Sequence, residues 1–320
     1  MDNKINVKLQ SMAGQGGSAF GITLLELMKE HNNIMVLSAD MSTPAGLDKF
    51  KAAYPEHFLN VGIAEQNMIG IAAGLADEGY KIICVAQACF ITMRCFEQVR
   101  QYAGYMGIPM ILVGIGSGLS LQYMGNTHYA LEDIALMRTI PNMTVVAPCD
   151  ALEASKALEE AIHQNGSTYM RFFGGTGIPT VHLENVDFEL DKAITLREGN
   201  DLAILACGSM VKQALQTAEA LSEQGIESEV IDVHTIKPFD VAVLDNCNKK
   251  KLIVTIEEHR LIGGLGSVVS MRLKERQIAT PLLHIGVDET YPMPGSYPYM
   301  LKQCGLTVEQ IKNQIIDKIS

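Results

Sequence analysis

Short apolar, β-rich runs recur along the chain with helix-like segments between them, and this alternation limits the fold more than any other feature. The runs are IMVLSAD (34–40), HFLNVG (57–62), KIICVAQA (81–88), PMILVGIG (109–116), MTVVAP (143–148) and TYMRFFG (168–174). Most are apolar throughout and do not alternate with polar residues. That pattern suits strands covered on both faces, as in a parallel sheet flanked by helices. The segments AFGITLLELMKEH, AEQNMIGIAAGLADEG and ALEASKALEEAIHQ supply such helices. In the last, Ala154, Ala157, Leu158, Ala161 and Ile162 share one face at helical spacing. Strand–helix alternation of this kind predicts a doubly wound α/β sheet.

The rhythm breaks over 176–193, where Gly, Pro and acidic residues read as a linker. A second α/β unit follows. It comprises LAILACGS (202–209), a helix from Val211 to about Ser222, SEVIDVHT (228–235), KLIVTIEE (251–258), a helix after Gly266, PLLHIGV (281–287) and a C-terminal helix. The expectation is a first domain over 1–180 and a smaller α/β domain over 193–320, a comfortable division for 320 residues.

Lys and Arg number 25 against 36 Asp and Glu, a net charge of −11, and the only basic run is Lys249–Lys251. An acidic chain with so little clustered positive charge is poorly suited to nucleic acid or anionic membrane. The opening MDNKINVKLQ is too polar for a signal peptide, and no uninterrupted apolar run reaches the roughly 18 residues of a membrane span. Seven cysteines, an odd number without a C-x-x-C pair, sit partly in apolar runs. They read as reduced core thiols of a cytoplasmic protein.

The most informative segment is N-V-G-I-A-E-Q-N-M-I-G-I-A-A-G-L-A, residues 60–76. An apolar strand is expected to end at Gly62, and Glu65 opens a helix rich in Gly and Ala that can pack closely on a sheet or another subunit. By spacing alone Glu65 either complements the helix dipole, worth about 0.3–1 kcal/mol when exposed, or is a functional carboxylate. Asp40 ends the run L-S-A-D, at the strand end where ligands sit in open α/β sheets. It also suits a turn or helix cap.

The segment 60–76 resembles the pyrimidine-domain motif of the transketolase and 1-deoxy-xylulose-5-phosphate synthase family, above all its split microbial transketolases, and the likeness runs along nearly the whole chain. The resemblance implies thiamine diphosphate as cofactor, with Glu65 bonded to N1′ of the aminopyrimidine. A carboxylate sharing a proton there favours the imino tautomer, whose 4′ nitrogen takes the proton from C2 of the thiazolium. Phe90, in A-C-F-I-T-M-R-C-F-E-Q (88–98), matches the phenylalanine that stacks on the aminopyrimidine, and Arg94 continues the match. Ile63 and Asp40 are implied cofactor neighbours. His128, in G-N-T-H-Y-A-L-E-D-I-A (125–135), matches a histidine that reaches the substrate near the reacting carbonyl. His259, in T-I-E-E-H-R-L-I-G-G-L-G-S (255–267), is a further candidate, although a turn histidine is the commoner reading.

The family holds a divalent ion, Mg2+ or Ca2+, with a G-D-G motif and a downstream Asn, and G-D-G does not occur in this sequence. The resemblance therefore implies an N-terminal subunit that carries the diphosphate and its metal. It also implies a heterotetramer of two chains of each kind, inactive without the partner.

Several groups that hold a sugar phosphate in the family are replaced. The early arginine falls at Gly17, a serine at Pro44 or Ala45, a histidine at Gly116, and the aspartate reading a donor hydroxyl at Met124; only Arg171 matches a phosphate arginine. Each charge-assisted contact is worth about 1.5–3 kcal/mol, so the implied donor lacks the usual terminal phosphate. The Gly-rich stretch 14–17 is either a loop before a helix or an anion cradle. The expected activity is transfer of a two-carbon ketol unit from a ketose to an aldehyde. The alternatives are a decarboxylating 2-oxo acid carboligase, towards which the A-E-Q form of the Glu65 motif leans, and a non-catalytic subunit.

Overall fold

The computed structural model describes residues 19–174 and 180–319. The first sheet contains β1 (Ile34–Ser38), β2 (Phe58–Asn60), β3 (Lys81–Gln87), β4 (Ile111–Ile115), β5 (Met143–Val146) and β6 (Ser167–Phe172). The second contains β7 (Ile194–Arg197), β8 (Leu202–Ala206), β9 (Ser228–Asp232), β11 (Leu252–Arg260) and β12 (Leu282–Val287), while β10 (Thr235–Lys237) belongs to the first. The orders are β10-β5-β6-β4-β3-β1-β2 and β12-β11-β8-β9-β7. Every pairing is parallel except β10 with β5 and β7 with β9. Two mostly parallel α/β units are thus what the apolar runs anticipate.

The reason lies in the alternation of side chains along a strand. In β3, Ile82, Cys84 and Ala86 point into one apolar layer, and Ile83 and Val85 into the other. The Glu65–Asp77 helix covers the first layer with Met68, Ile69 and Ala72. The Phe20–Glu30 and Ala151–Ala161 helices cover the second with Phe20, Leu24, Ala157 and Leu158. The first layer continues into Leu205, Val268 and Val269, so one apolar core spans both units.

Three elements depart from the sequence reading. β2 stops at Asn60 and does not reach Gly62, because the chain turns through positive φ at Gly62 (+72°). β7 arises within 194–197, a stretch without an apolar run to announce it. The run SEVIDVHT is not one strand: β9 ends at Asp232, and two residues later β10 leaves the second sheet to pair with β5 of the first. Residues 180–193, the described part of the expected linker, form no helix or strand.

Candidate active site

The residues singled out by sequence gather at the C-terminal ends of the first sheet's parallel strands. Glu65 opens the Glu65–Asp77 helix and is 3% exposed. Its Oε2 accepts a 2.9 Å hydrogen bond from Arg94 Nη1. Arg94 and Phe90 are the two ends of a π-helical turn, Phe90–Arg94, that follows β3. This wide turn stacks them: the Arg94 guanidinium carbon lies 3.9 Å from the Phe90 ring centroid, in cation–π range. Gln66 Nε2 donates to the Arg94 carbonyl at 3.2 Å and ties that turn to the helix.

His128 stands on the loop after β4, with its ring centroid 5.4 Å from that of Phe90 and the planes at 64°. Its Nδ1 lies 2.9 Å from Thr127 Oγ1, which leaves Nε2 for other work. Asp40 sits just past β1 with φ +57°. It is not a helix cap. Its N–H donates to Asn60 Oδ1 and its Oδ1 accepts from Asn60 Nδ2, while Asn60 Oδ1 also accepts from Gly62 N–H. Asp40 thereby fixes the loop that delivers Glu65. Ile63 (75%) and Met124 (50%) are exposed beside it and on the His128 loop. Gly17 and the Gly-rich stretch 14–17 lie outside the described residues.

A cleft of about 650 Å³ opens beside Phe90 and Arg94, with Met93, Thr127, Glu132 and Tyr291 among its other walls; Glu65, His128 and Asp40 do not line it. Tyr291 comes from the second unit and stacks under Arg260, whose guanidinium carbon is 4.7 Å from its ring centroid. Sequence reasoning missed Tyr291, Glu132 and Arg260; Arg260 Nε reaches Glu132 Oε1 of the first unit at 3.3 Å, and such a distant pairing left no local signal. Cys89 also reaches the cleft, but burial pushes its thiol up to about 12, so it is no nucleophile at neutral pH.

Arg171, expected at a substrate phosphate, and His259, a further candidate, both stand away from the cleft. Arg171 is 4% exposed and turned into the protein, where Nε and Nη2 are engaged. Nε bonds Asp133 Oδ2 at 2.8 Å, and Nη2 bonds the Ala130 and Glu258 carbonyls. Asp133 also accepts from the Tyr169 hydroxyl, so the arginine is a strut between the two units. His259 is fully buried, its Nδ1 on the Arg260 carbonyl and its Nε2 on Ala135 N–H. Burial depresses it to about 4, so it stays a neutral structural group.

With this geometry, the similarities to known proteins fall into place. Residues 15–173 match the transketolase pyrimidine binding domain and residues 191–311 the transketolase C-terminal domain. The 6-deoxy-6-sulfo-D-fructose transketolase subunit SqwH of a Clostridium species is 38% identical, over 90% of this chain and 89% of that protein. An apulose-4-phosphate transketolase subunit of Phocaeicola vulgatus is 36% identical, over 92% and 94% respectively. A solved structure described as a split gene transketolase, inactive beta4 tetramer, superposes with a TM-score of 0.85 at 34% identity, covering 94% of this chain and 97% of that one. Two matched domains spanning the chain, together with relatives of the same length, show that this protein belongs to the transketolase family.

Proposed function

We propose that this chain is the pyrimidine-activating subunit of a thiamine-diphosphate-dependent transketolase that works with a separate partner chain. The observation that carries the reading is the buried Glu65 carboxylate meeting a planar cation above Phe90. Arg94 makes there the two contacts an aminopyrimidine requires, an N–H on the carboxylate and a flat face on an aromatic ring. The side chains therefore fit the cofactor's pyrimidine. Bound thiamine diphosphate supplies the nucleophilic carbon that accepts the two-carbon ketol unit.

Glu65 holds the proton shared with the pyrimidine, in a setting dry enough to strengthen that bond. Phe90 orients the ring, and Ile63 lies against the same approach. His128, edge-on to Phe90, holds or moves a proton at the substrate oxygen. Arg171 has no substrate role in this reading. The relatives' names give two different sugars, a sulfo-sugar and a sugar phosphate, at nearly equal identity. Together with Gly116 where the family has a phosphate-side histidine, and Met124 where it has the aspartate reading a donor hydroxyl, this supports a donor without the usual terminal phosphate.

The partner, with the diphosphate and its Mg2+ or Ca2+, is supported by relatives named as subunits and by the inactive beta4 assembly of the similar structure. Exposed Ile63, Tyr105, Met106, Tyr123, Met124 and Tyr291 provide apolar surface for it to cover. We place two copies of each chain in the assembly. Cysteines that are all unpaired, six of them buried, support a cytoplasmic setting.

The test is Glu65→Gln in the reconstituted pair. Turnover should fall by about 10²–10⁴, the usual worth of a positioned proton-transfer group, with the circular dichroism spectrum unchanged. A full rate would remove the proposed role. Carbon dioxide release from pyruvate by the wild-type pair would instead favour the decarboxylating carboligase.

A further inference from the structure

A second group of chemically active side chains lies buried where the two units meet, and none of it lines the cleft. Cys149 and Glu153 flank the start of the Ala151–Ala161 helix, His182 comes from the connecting segment, and Asp232 ends β9. None is more than 8% exposed. One donor atom from each, Sγ, a carboxylate oxygen, a ring nitrogen and a second carboxylate oxygen, lies within 4.8 Å of the other three.

The polar atoms aimed into this space make no close hydrogen bond and meet only one another, His182 against Glu153 and Cys149 against Asp232. Glu153 Oε2 accepts from Cys149 N–H, which fixes the carboxylate, but Oε1 has no hydrogen-bond partner. The same holds for His182 Nε2 and for both oxygens of Asp232. His182 Nε2 lies 3.5 Å from Glu153 Oε1 and 4.0 Å from Asp232 Oδ2. A hydrogen bond to a carboxylate closes to about 2.7–2.9 Å. Ligands about 2.0–2.3 Å from a tetrahedral zinc ion stand about 3.3–3.8 Å apart. The 3.5 Å contact is long for direct bonding and falls on a coordination edge, while the wider 4.0 Å contact would have to draw in around an ion.

Charge argues the same way. Two carboxylates are enclosed with one imidazole within 4.0 Å, a poor counterweight to their desolvation. A divalent cation would offset both carboxylates, leaving one net negative charge once Cys149 gives up its proton to bind.

We infer that Cys149, Glu153, His182 and Asp232 bind one divalent transition-metal ion that fastens the two units together. The donor set selects the metal. Magnesium and calcium prefer all-oxygen shells, whereas sulfur, nitrogen and oxygen together suit zinc. Four protein donors with no open position make the site structural, not catalytic. Burial means that the ion enters as the two units close during folding. The inference is independent of the role given to Glu65.

The full chain, purified without its partner and dialysed against a weak chelator, should retain close to one equivalent of zinc by atomic emission. X-ray absorption at the zinc edge should report one sulfur at about 2.3 Å and nitrogen or oxygen neighbours at about 2.0–2.2 Å. Refolding with Co2+ should give tetrahedral visible bands and a sulfur-to-cobalt charge-transfer band. Cys149→Ser should lose that charge-transfer band, and Asp232→Asn should bind Co2+ at least tenfold more weakly. Wild-type protein with less than a tenth of an equivalent of metal and no tetrahedral cobalt spectrum overturns the site, even if both variants fail to fold. An unchanged charge-transfer band in folded Cys149→Ser overturns it equally.

Discussion

Glu65 and Arg94 hold each other in a bond that, under the proposed function, a bound pyrimidine would have to displace, since the arginine makes both of the contacts proposed for that ring. The Arg94 side chain is 43% exposed and that of Glu65 3%, so removing the arginine also leaves a buried carboxylate without its donor until another group takes that place. Arg94→Met keeps the volume and removes the competitor. It should tighten thiamine diphosphate binding by the reconstituted pair about 2–10-fold, read by isothermal titration, whereas weaker binding would show that the guanidinium stays and touches the cofactor. A second residue-scale consequence is pH dependence. His259 is lowered from 6.5 to about 4, chiefly by burial. Between those values the unfolded chain takes a proton that the folded chain refuses, so this group costs stability as pH falls from 6.5 towards 4. Glu257, whose Oε2 lies 3.8 Å from His259 Nδ1, is raised from 4.5 to about 7 by burial. Its contribution therefore runs the other way and is lost as pH rises through that span. In urea titrations, His259→Gln should lose less stability than the wild type on going from pH 6.5 to 4. An identical slope would mean that the histidine titrates normally.

Among the elements, the loop after β4 shows how tightly the first unit's site is tied to the second unit. Gly118 sits at φ +58° and pairs with Ala130, and a Cβ there would collide with the Glu258 side chain. Glu258 is held by Leu119 N–H, the Ser209 hydroxyl and the Tyr297 hydroxyl, so it has nowhere to go. Gly118→Ala should destabilise the chain by about 2 kcal/mol or more, seen as a lower urea midpoint, and should disturb the His128 loop. The strands β1, β3, β4, β5 and β6 were legible because both faces are largely buried, which writes a mainly apolar or β-branched run even where, as in β6, Thr168 and Arg171 interrupt it. The edges β7 and β10 were not, because they are short, carry polar residues and exist only through distant pairing. Glu65, Phe90 and His128 stood out through the residues around them. Arg171 was misread because an arginine neutralised by a buried aspartate looks, in sequence, the same as one awaiting a phosphate. Tyr291 gave no sign at all, since its place depends on how the two units pack.

On the scale of the whole molecule, the Arg171–Asp133 pair is the centre of a polar junction that also takes in Tyr169, Ala130 and Glu258. Removing one member of a buried pair strands the other's charge, at about 3–5 kcal/mol. Arg171→Met should lower the thermal midpoint of the isolated chain far more than it alters substrate KM in whatever enzyme still assembles. A KM effect without loss of stability would restore the ligand role. Among the described residues no helix is long and apolar enough to cross a membrane. The junction is reinforced by β10, which is separated from β9 by only two residues yet completes the edge of the other unit's sheet. That strand makes the obvious seam a poor place to cut. A chimaera spliced at residues 180–193 would take its edge strand from a foreign donor and leave the recipient sheet to pair with a stranger. Grafts that keep the native chain through Lys237 should be the ones that express as soluble protein, so recombination between relatives is steered away from the linker and into the interior of the second unit.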